Sequence, residues 1–226
     1  MMAQGLRIVL TGAPGCGKGT QARILEERAH ICHLSTGEML REVAKKNTPL
    51  GRELKALLDR GEFATDEMII RMVSERIDEP DCQNGFILDG FPRTLPQAEV
   101  LEKMLKERNL TLDCVLEIQV PDEIITERIL GRYSCTKCGH EYHDKFLKPK
   151  VYGVCDACGG TEFSRRADDN KETVKNRLVN YRKLTYPTIS YFEKKGLLVC
   201  VDGTGSIGAT AEKIAVLLGL DNKSGN

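Results

Sequence analysis

Residues 12–20 read GAPGCGKGT, and this glycine-rich stretch decides the fold that we expect for the chain. An apolar run at residues 6–10 precedes it, and a helical pattern at residues 21–27 follows it. Glycines let the backbone turn its N–H groups inward, so that they and the helix N-terminus can surround a phosphate chain. Lys18 adds a positive charge, and Thr20, one glycine later than the generic motif has it, is expected to face metal-bound phosphates. The stretch therefore predicts a strand, a phosphate-binding loop and a helix; a glycine turn without a ligand is the alternative.

The bulk composition predicts one soluble domain. A chain of 226 residues can bury the core of an α/β domain and carry one small inserted unit. Lys plus Arg and Asp plus Glu number 33 each, so the net charge favours neither nucleic acid nor an anionic membrane as the main partner. No run approaches the roughly 18 apolar residues of a membrane span, and the first five residues are too short for a signal peptide. We expect a cytoplasmic protein that is monomeric by default.

Strand and helix patterns alternate along the chain, which predicts a parallel sheet surrounded by helices, with its site at the carboxyl edge of the strands. The predicted strands after the first are residues 30–34, 86–88, 112–120 and 197–201. The predicted helices after the first begin at residue 35 and after Pro121, and otherwise cover residues 49–60, 66–79, 95–108, 170–194 and 207–218. Pro187 is expected to kink the long helix at residues 170–194.

Several polar residues stand where these elements begin or end. Ser35 and Glu38 have the spacing of a capping box, so Thr36 is either a second cap hydroxyl or a ligand. Arg41 lies one turn into the same helix, whose N-terminus should face the phosphate loop. Asp89 ends a buried strand beside that loop, which is where a magnesium-water shell is held in such proteins, although a turn residue is the alternative.

Arginines mark the second half of the chain. Arg128 and Arg132 are four residues apart on one helix, where like charges repel unless they share an anion. Arg166 and Arg177 lie before and within the long helix, and two acidic residues just after Arg166 could orient an arginine or cap that helix. We expect these arginines to bind phosphate, with solvated surface charges as the alternative.

Four of the nine cysteines are concentrated in one segment. Cys135 and Cys138, and then Cys155 and Cys158, form two pairs of two-residue spacing that can close on one tetrahedral ion. Two disulfides are the competing interpretation, but the five scattered single cysteines suit a reducing compartment. A site closed by four thiolates predicts a structural zinc ion without a part in the chemistry. The flanking arginines aim this small unit at the phosphates, so we expect it to act as a lid.

Four stretches in order resemble the signatures of the adenylate kinase family: residues 12–21 (GAPGCGKGTQ), 35–41 (STGEMLR), 88–94 (LDGFPRT) and 165–169 (RRADD). The similarity runs from about residue 6 to 218, and the four-cysteine insertion resembles the long zinc-binding lid of that family. Two positions depart from the family pattern: Cys16 stands where Ala or Ser is expected, and Ala167 where a basic residue is common.

The resemblance implies reversible phosphoryl transfer from MgATP to AMP, giving two ADP, with Mg²⁺ and a structural Zn²⁺ as cofactors. The residues that would bind ATP are Gly15, Cys16, Gly17, Lys18, Gly19, Thr20, Arg128, Arg132, Tyr142 and Gly205. Those that would bind AMP are Thr36, Arg41, Glu62, Phe63, Ala64, Gly90, Arg93, Gln97, Arg166 and Arg177. The catalytic set would be Lys18, Asp89, Arg93, Arg128, Arg132, Arg166 and Arg177.

The resemblance also implies three parts of the chain. Residues 1–34, 66–132 and 167–226 would form the core with the phosphate loop, residues 35–65 a helical AMP-binding segment, and residues 133–166 the zinc-binding lid. One alternative is a kinase for UMP, CMP or GMP, since the phosphate ligands would serve any of these. A nucleotide-dependent nucleic-acid-binding module with zinc knuckles is the other alternative.

Overall fold

The computed structural model describes residues 5–45, 47–60 and 64–220, and strands and helices alternate along these ranges. The strands are β1 (Arg7–Thr11), β2 (Cys32–Ser35), β3 (Phe86–Asp89), β4 (Cys114–Gln119), β5 (Arg132–Cys135), β6 (Glu141–His143), β7 (Phe163–Ser164) and β8 (Leu198–Asp202). The α-helices are α1 (Lys18–Ala29), α2 (Thr36–Lys45), α3 (Pro49–Asp59), α4 (Asp66–Ile77), α5 (Leu95–Glu107), α6 (Asp122–Leu130), α7 (Lys171–Asn180), α8 (Tyr186–Lys194) and α9 (Ile207–Leu217).

Strand β1 shows why the sheet needs helices on both of its faces. Its residues alternate between two apolar clusters: Val9 packs into one, while Ile8 and Leu10 pack into the other. A strand buried on both faces is typical of a parallel sheet between helical layers. Helices α1 and α9 cover the face of Leu10, and the cluster around Val9 takes in residues of α4, α5 and α8. The predicted α/β class is confirmed.

The sheet has the strand order β2-β3-β1-β4-β8, and every neighbouring pair is parallel. Strand β1 is therefore central, and its register places Leu10 beside Asp89 of β3 and beside Leu116 of β4. Parallel strands end at the same edge of a sheet. The loop after β1 and the carboxylate of Asp89 therefore meet at the carboxyl edge.

The phosphate loop between β1 and α1 depends on its glycines. Gly12, Gly15 and Gly17 have φ values of 133°, 81° and 106°, in the left-handed region that L side chains rarely adopt. At Gly15 a Cβ atom would also approach Ile129 of α6 to 2.6 Å. The loop can therefore pass close to α6 only because this position has no side chain.

Helices that have a side-chain N-cap begin at, or within one residue of, the position predicted from the sequence. The Glu38 amide donates to the Ser35 hydroxyl at 3.4 Å, as half of the expected capping box. Thr65 and Thr94 cap α4 and α5 in the same way. Strand β2 begins two residues later than predicted, because His30 adopts a left-handed conformation (φ 53°) that ends α1.

The expected kink at Pro187 is wrong in position. Instead of one bent helix over residues 170–194, α7 ends at Asn180, a π-helical turn spans Tyr181–Thr185, and Pro187 lies in the first turn of α8. Proline has no N–H to donate to a carbonyl four residues earlier. The Tyr186 amide bonds the carbonyl of Tyr181, five residues back, so the irregularity is taken up before the proline as a wider turn.

The four-cysteine segment forms a small antiparallel sheet of its own, in the order β6-β5-β7. Its apolar centre is Tyr142 with Cys135 and Cys155, and Tyr133 and Phe163 pack against them. The ring centroids of Tyr133 and Tyr142 lie 5.7 Å apart, nearly parallel. So few apolar residues form a minimal core, and a unit of this size generally needs a metal or a cross-link.

Among the helices of the described ranges, none combines the length and apolar character that crossing a bilayer requires.

Candidate active site

A cleft of about 930 Å³ opens at the carboxyl edge of the main sheet, between the phosphate loop, α2, the small sheet and α7. The sequence-predicted site residues that line it are Gly15, Cys16, Gly17, Lys18, Gly19, Thr20, Thr36, Arg41, Ala64, Asp89, Gly90, Arg93, Gln97, Arg128, Arg132, Tyr142, Arg166, Arg177 and Gly205. Residues from all parts of the chain are thus brought together. Glu62 and Phe63, with Gly61 beside them, lie outside the described residues.

Lys18 is held inside its own loop. Its ammonium donates to the carbonyl of Gly12 at 2.8 Å and to that of Ala13 at 3.0 Å. Helix α1 starts at Lys18 with no side-chain cap and no acidic residue in its first turn. The first N–H groups of α1 and the lysine charge therefore stand at one end of the cleft, where they can bind an anion.

Asp89 is buried at the floor of the cleft, with 8% of its surface exposed. Burial alone would raise its pKa, but the His33 ring, the Lys18 ammonium and the Arg93 guanidinium together hold the pKa of Asp89 below its usual value. His33 Nε2 lies 3.4 Å from Asp89 Oδ2. The carboxylate is therefore ionised and close to the loop, as a ligand for magnesium-bound water requires.

Arg93 and Thr36 are fixed by the backbone around Gly90. Arg93 Nε donates to the Gly90 carbonyl at 2.7 Å, and the Thr36 hydroxyl donates to the carbonyl of Asp89 at 3.2 Å. A Cβ atom at Gly90 would come within 2.8 Å of both side chains. The close approach needs a glycine, and the result is a preformed guanidinium in the cleft, near the Asp89 carboxylate and Thr36 of α2.

Gln97 is engaged with the framework of the same region. Its amide oxygen accepts from the Arg93 N–H at 2.7 Å, and its amide nitrogen donates to Asp66 at 2.6 Å. In this conformation the side chain positions Arg93 and ties α5 to α4. Its contact with a nucleotide base stays a prediction.

Arg41, Arg166 and Arg177 form a cluster of cations in the cleft. Burial, together with repulsion from Arg166 and Arg132, lowers the pKa of Arg41 to about 10. Burial and repulsion from its arginine neighbours likewise lower the pKa of Arg177 to about 9. Crowded guanidinium groups are unfavourable without counter-charge, so the cluster is a strong site for a polyanion.

Two carboxylates orient arginines of the cleft, Arg132 and Arg177. Asp169 accepts from Arg132 at two points, 2.9 Å and 2.6 Å, and this pair keeps the pKa of Arg132 raised in spite of its burial. Asp168 pairs with Arg177. The sequence left open whether Asp168 and Asp169 orient an arginine or cap α7, and the cap of α7 is instead Asn170.

Sequence reasoning missed two titratable residues that contact predicted site residues directly. Glu141 pairs with Arg166 in the cleft, and His33 contacts Asp89. A signal for Glu141 is present in the sequence: it lies in a short strand between the two cysteine pairs. Neighbouring side chains of a strand point to opposite faces, and since Tyr142 is buried in the small core, Glu141 points away from that core. His33 carried no comparable signal, because its contact is made across neighbouring strands.

Arg128 joins two loops at the other side of the cleft. Its guanidinium donates to the carbonyl of Cys16 at 3.2 Å and to that of Gly203 at 2.8 Å. The phosphate loop and the loop after β8 are thereby held together, and Gly205 follows in that second loop. The expected contact of Arg128 with adenine stays a prediction.

Tyr142 reaches the cleft only at its edge, with 2% of its surface exposed. Its hydroxyl donates to Cys155 Sγ at 3.5 Å and accepts from the Asp156 N–H at 2.7 Å. The polar group of Tyr142 therefore supports the cysteine cluster in this structure.

The four cysteines bring their sulfur atoms within 4.8 Å of one another. Cys135 and Cys158 Sγ are 3.6 Å apart, and so are Cys138 and Cys155 Sγ. Four sulfurs bound at about 2.3 Å in a tetrahedron would lie about 3.8 Å apart, so the arrangement fits one tetrahedral ion. His140 and His143 lie in the same segment and could also bind a metal, but within the described residues they do not belong to this cluster.

Comparison with known proteins agrees with this geometry. A sequence model of the family described as adenylate kinase matches residues 10–197. The chain is 54% identical over 216 residues to an adenylate kinase of Allorhizobium ampelinum, covering 95% of this chain and 100% of that protein. It is 52% identical over 202 residues to an adenylate kinase of Carboxydothermus hydrogenoformans, covering 89% of this chain and 94% of that protein. Since the similarity extends over nearly the whole chain and the family's motifs meet in one cleft, this chain belongs to the adenylate kinase family.

Proposed function

We propose that the chain catalyses reversible transfer of a phosphoryl group from ATP to AMP, giving two ADP. The observation that carries this is one continuous cleft, lined together by the phosphate loop, by α2, by Arg93 in the turn after β3 and by further buried arginines. Phosphoryl transfer asks a protein mainly for positioning and for positive charge around an in-line displacement. The cleft supplies both.

ATP occupies the end formed by the phosphate loop. The N–H groups of the loop and of the first turn of α1 bind its phosphates, and Lys18 leaves the Gly12 and Ala13 carbonyls to bind them too. Arg128 and Gly205 lie where the adenosine part would reach, at the loop after β8. This assignment is supported by the left-handed glycines of the loop, which line the cleft, and by the Arg128 bridge.

AMP occupies the end formed by α2 and the turn after β3. Its phosphate is bound by Arg41 and Arg93, and its base lies towards Thr36, Ala64 and Gln97. Arg132, Arg166 and Arg177 lie between the two nucleotides and surround the transferred group. Their burial and lowered or carboxylate-supported pKa values support the assignment, because a polyanion relieves the repulsion among them.

Asp89 and Thr20 are the residues that fit Mg²⁺. Asp89 Oδ2 lies 3.7 Å from where a Cβ would be at Gly19, so its carboxylate borders the phosphate loop next to Thr20. Carboxylate and hydroxyl oxygens are ligands that Mg²⁺ accepts, directly or through water. Bound there, the ion would neutralise charge on the ATP phosphates, and Asp89 would hold the water molecules of the ion's shell.

The cysteine cluster holds a structural Zn²⁺. Four thiolates in a tetrahedral arrangement leave no open coordination position, so the ion stabilises the small sheet and takes no part in the transfer.

We assign residues 133–166 as the lid, residues 35–65 as the AMP-binding segment and residues 1–34, 66–132 and 167–226 as the core. The lid closes over the phosphates and excludes water, which would otherwise accept the phosphoryl group. The enzyme acts as a cytoplasmic monomer on free nucleotides.

A panel of acceptors tests this function. Steady-state ADP formation is measured with MgATP and, in turn, AMP, UMP, CMP or GMP. We expect AMP to be the best acceptor by kcat/KM. A higher kcat/KM for UMP, CMP or GMP would replace the proposed substrate by another monophosphate, and no transfer to any of them would contradict the kinase function.

A further inference from the structure

Glu141 is an acidic side chain inside the arginine cluster. It lies on β6, lines the cleft, and its carboxylate contacts the guanidinium of Arg166. Arg132 Nη1 lies 3.9 Å from the same carboxylate oxygen. Burial would raise the pKa of Glu141, but Arg166, Arg132, Arg23 and Arg41 hold it below its usual value. The carboxylate therefore carries a full negative charge at neutral pH.

Glu141 differs from the other carboxylates that pair with the cluster. Asp168 and Asp169 are almost fully buried, with 9% and 2% of their side chains exposed. Neither belongs to the described residues that line the cleft, so they support Arg177 and Arg132 from behind. Glu141 instead lines the cleft, as Arg166 does, and the two side chains are in contact there.

We propose that Glu141 is an internal competitor of the nucleotide phosphates. It pairs with Arg166 when the cleft holds no nucleotide, and phosphate oxygens of an entering ligand displace it. The inference rests on the proposed function in taking a nucleotide phosphate as the ligand.

The consequence is a lower affinity of the cleft for every phosphate ligand, which leaves simple anions as weak binders. An inorganic polyphosphate gains only contacts with the loop and the arginines, and the loss of the Glu141–Arg166 pair offsets a large part of that gain. A nucleotide also gains contacts through its base and sugar, so it binds in spite of the displacement. Glu141 thus sets the affinity of the cleft for phosphate groups.

The test uses Glu141→Gln in the full-length, zinc-loaded protein, with inorganic tripolyphosphate as the probe. Calorimetric titration should show about tenfold tighter binding than in the wild type, since a neutral amide competes poorly for a guanidinium. In steady state the KM for ATP should fall while kcat does not rise, because the competition affects ground state and transition state alike. A merely structural role of Glu141 would raise KM or lower kcat instead.

Asp144→Asn is the matched control. Asp144 also belongs to the small unit and also pairs with an arginine, accepting from Arg165 at 2.8 Å through both oxygens. Both side chains of this pair are 50% exposed, and neither is among the described residues of the cleft. Tripolyphosphate affinity should therefore be unchanged in this variant.

A second neutral variant, Glu141→Thr, should shift the affinity in the same direction, because the effect comes from removing a charge. Unchanged or weaker tripolyphosphate binding in both Glu141 variants would overturn the inference, and so would an equal gain in Asp144→Asn. Tighter tripolyphosphate binding in variants of a protein that transfers no phosphoryl group would uphold the inference and remove the proposed function.

Discussion

The Lys18 ammonium is satisfied before any ligand arrives, because the carbonyls of Gly12 and Ala13 accept from it. The charge is therefore held in the loop at little cost and is available when phosphates enter. The arginines are different: Arg41 and Arg177 have pKa values lowered by burial and by one another. At the scale of single residues, the cleft crowds arginines together, and carboxylates pair with three of them: Arg177 with Asp168, Arg132 with Asp169 and Arg166 with Glu141.

Replacing Lys18 with Met should lower kcat by at least about a hundredfold, since an unbranched side chain of similar length keeps the packing but removes the charge. The melting temperature should change much less than the activity, because the lost contacts are hydrogen bonds to two loop carbonyls, a contact with Cys16 and the attraction to Asp89. Lys103→Met serves as the control: Lys103 is an exposed helix residue whose nearest acidic partner, Glu107, is 3.9 Å away. Near-normal turnover of the Lys18 variant would contradict its role at the phosphates.

The residues that sequence could predict are those carried by local motifs. Lys18 and Arg93 follow strands and Asp89 ends one, each within a short glycine-containing pattern, so their chemistry can be predicted from neighbours in the chain. Glu141 and His33 could not be predicted in this way. Their partners, Arg166 and Asp89, lie 25 and 56 positions away and become neighbours only through the pairing of strands.

The loop between β1 and α1 is the element that most depends on backbone conformation. Replacing Gly15 with Ala would place a Cβ at φ 81° and within 2.6 Å of Ile129. We expect a loss of about 1–3 kcal/mol of unfolding free energy from backbone strain, and a further loss from the overlap. ATP affinity should fall as well, because the loop must move away from α6.

Gly208→Ala is the comparison for this change. Gly208 lies in α9, and a Cβ there would meet no atom within 4 Å. This variant should be as stable as the wild type, or more stable by about 0.5–1 kcal/mol. Chemical denaturation measures both variants, and equal stability of Gly15→Ala and Gly208→Ala would contradict the described loop geometry.

The small sheet of β5, β6 and β7 depends for its stability on its four cysteines. Its core is limited to a few aromatic residues and the sulfurs themselves, so the ion supplies much of its stability. Removing zinc with a chelator should lower the melting temperature by several degrees while the affinity for AMP changes much less, because the proposed AMP ligands lie on other elements. An unchanged melting curve after metal removal, checked by elemental analysis, would count against a structural ion.

The helices after residue 170 show where element prediction reached its limit. The apolar stripe of Val174 and Leu178 correctly indicated a helix, and Pro187 correctly indicated an irregularity. Its form could not be predicted, because a kink and a π-helical turn can each accommodate the N–H that proline lacks. The turn places Tyr181 and Thr185 in the lining of the cleft, so this detail belongs to the site.

For the molecule as a whole, alternating strands and helices predicted the parallel sheet, but the strand order came only from the structure. That order places β1 between β3 and β4, so the phosphate loop and the Asp89 carboxylate share one edge. The arginines reach the same cleft from α2, the turn after β3, the end of α6, the start of β5, the segment after β7 and α7. The phosphates of one nucleotide do not call for so many cations, whereas the combined negative charge of two nucleotides bound end to end does.

The most direct test of this arrangement is to supply the protein with MgADP alone. If two nucleotides bind end to end in one cleft, one ADP serves as donor and the other as acceptor, and ³¹P NMR should show ATP and AMP appearing in equal amounts until equilibrium is reached. ADP that stays unchanged for hours beside the zinc-loaded protein and magnesium, or that releases inorganic phosphate without forming ATP, would contradict the account.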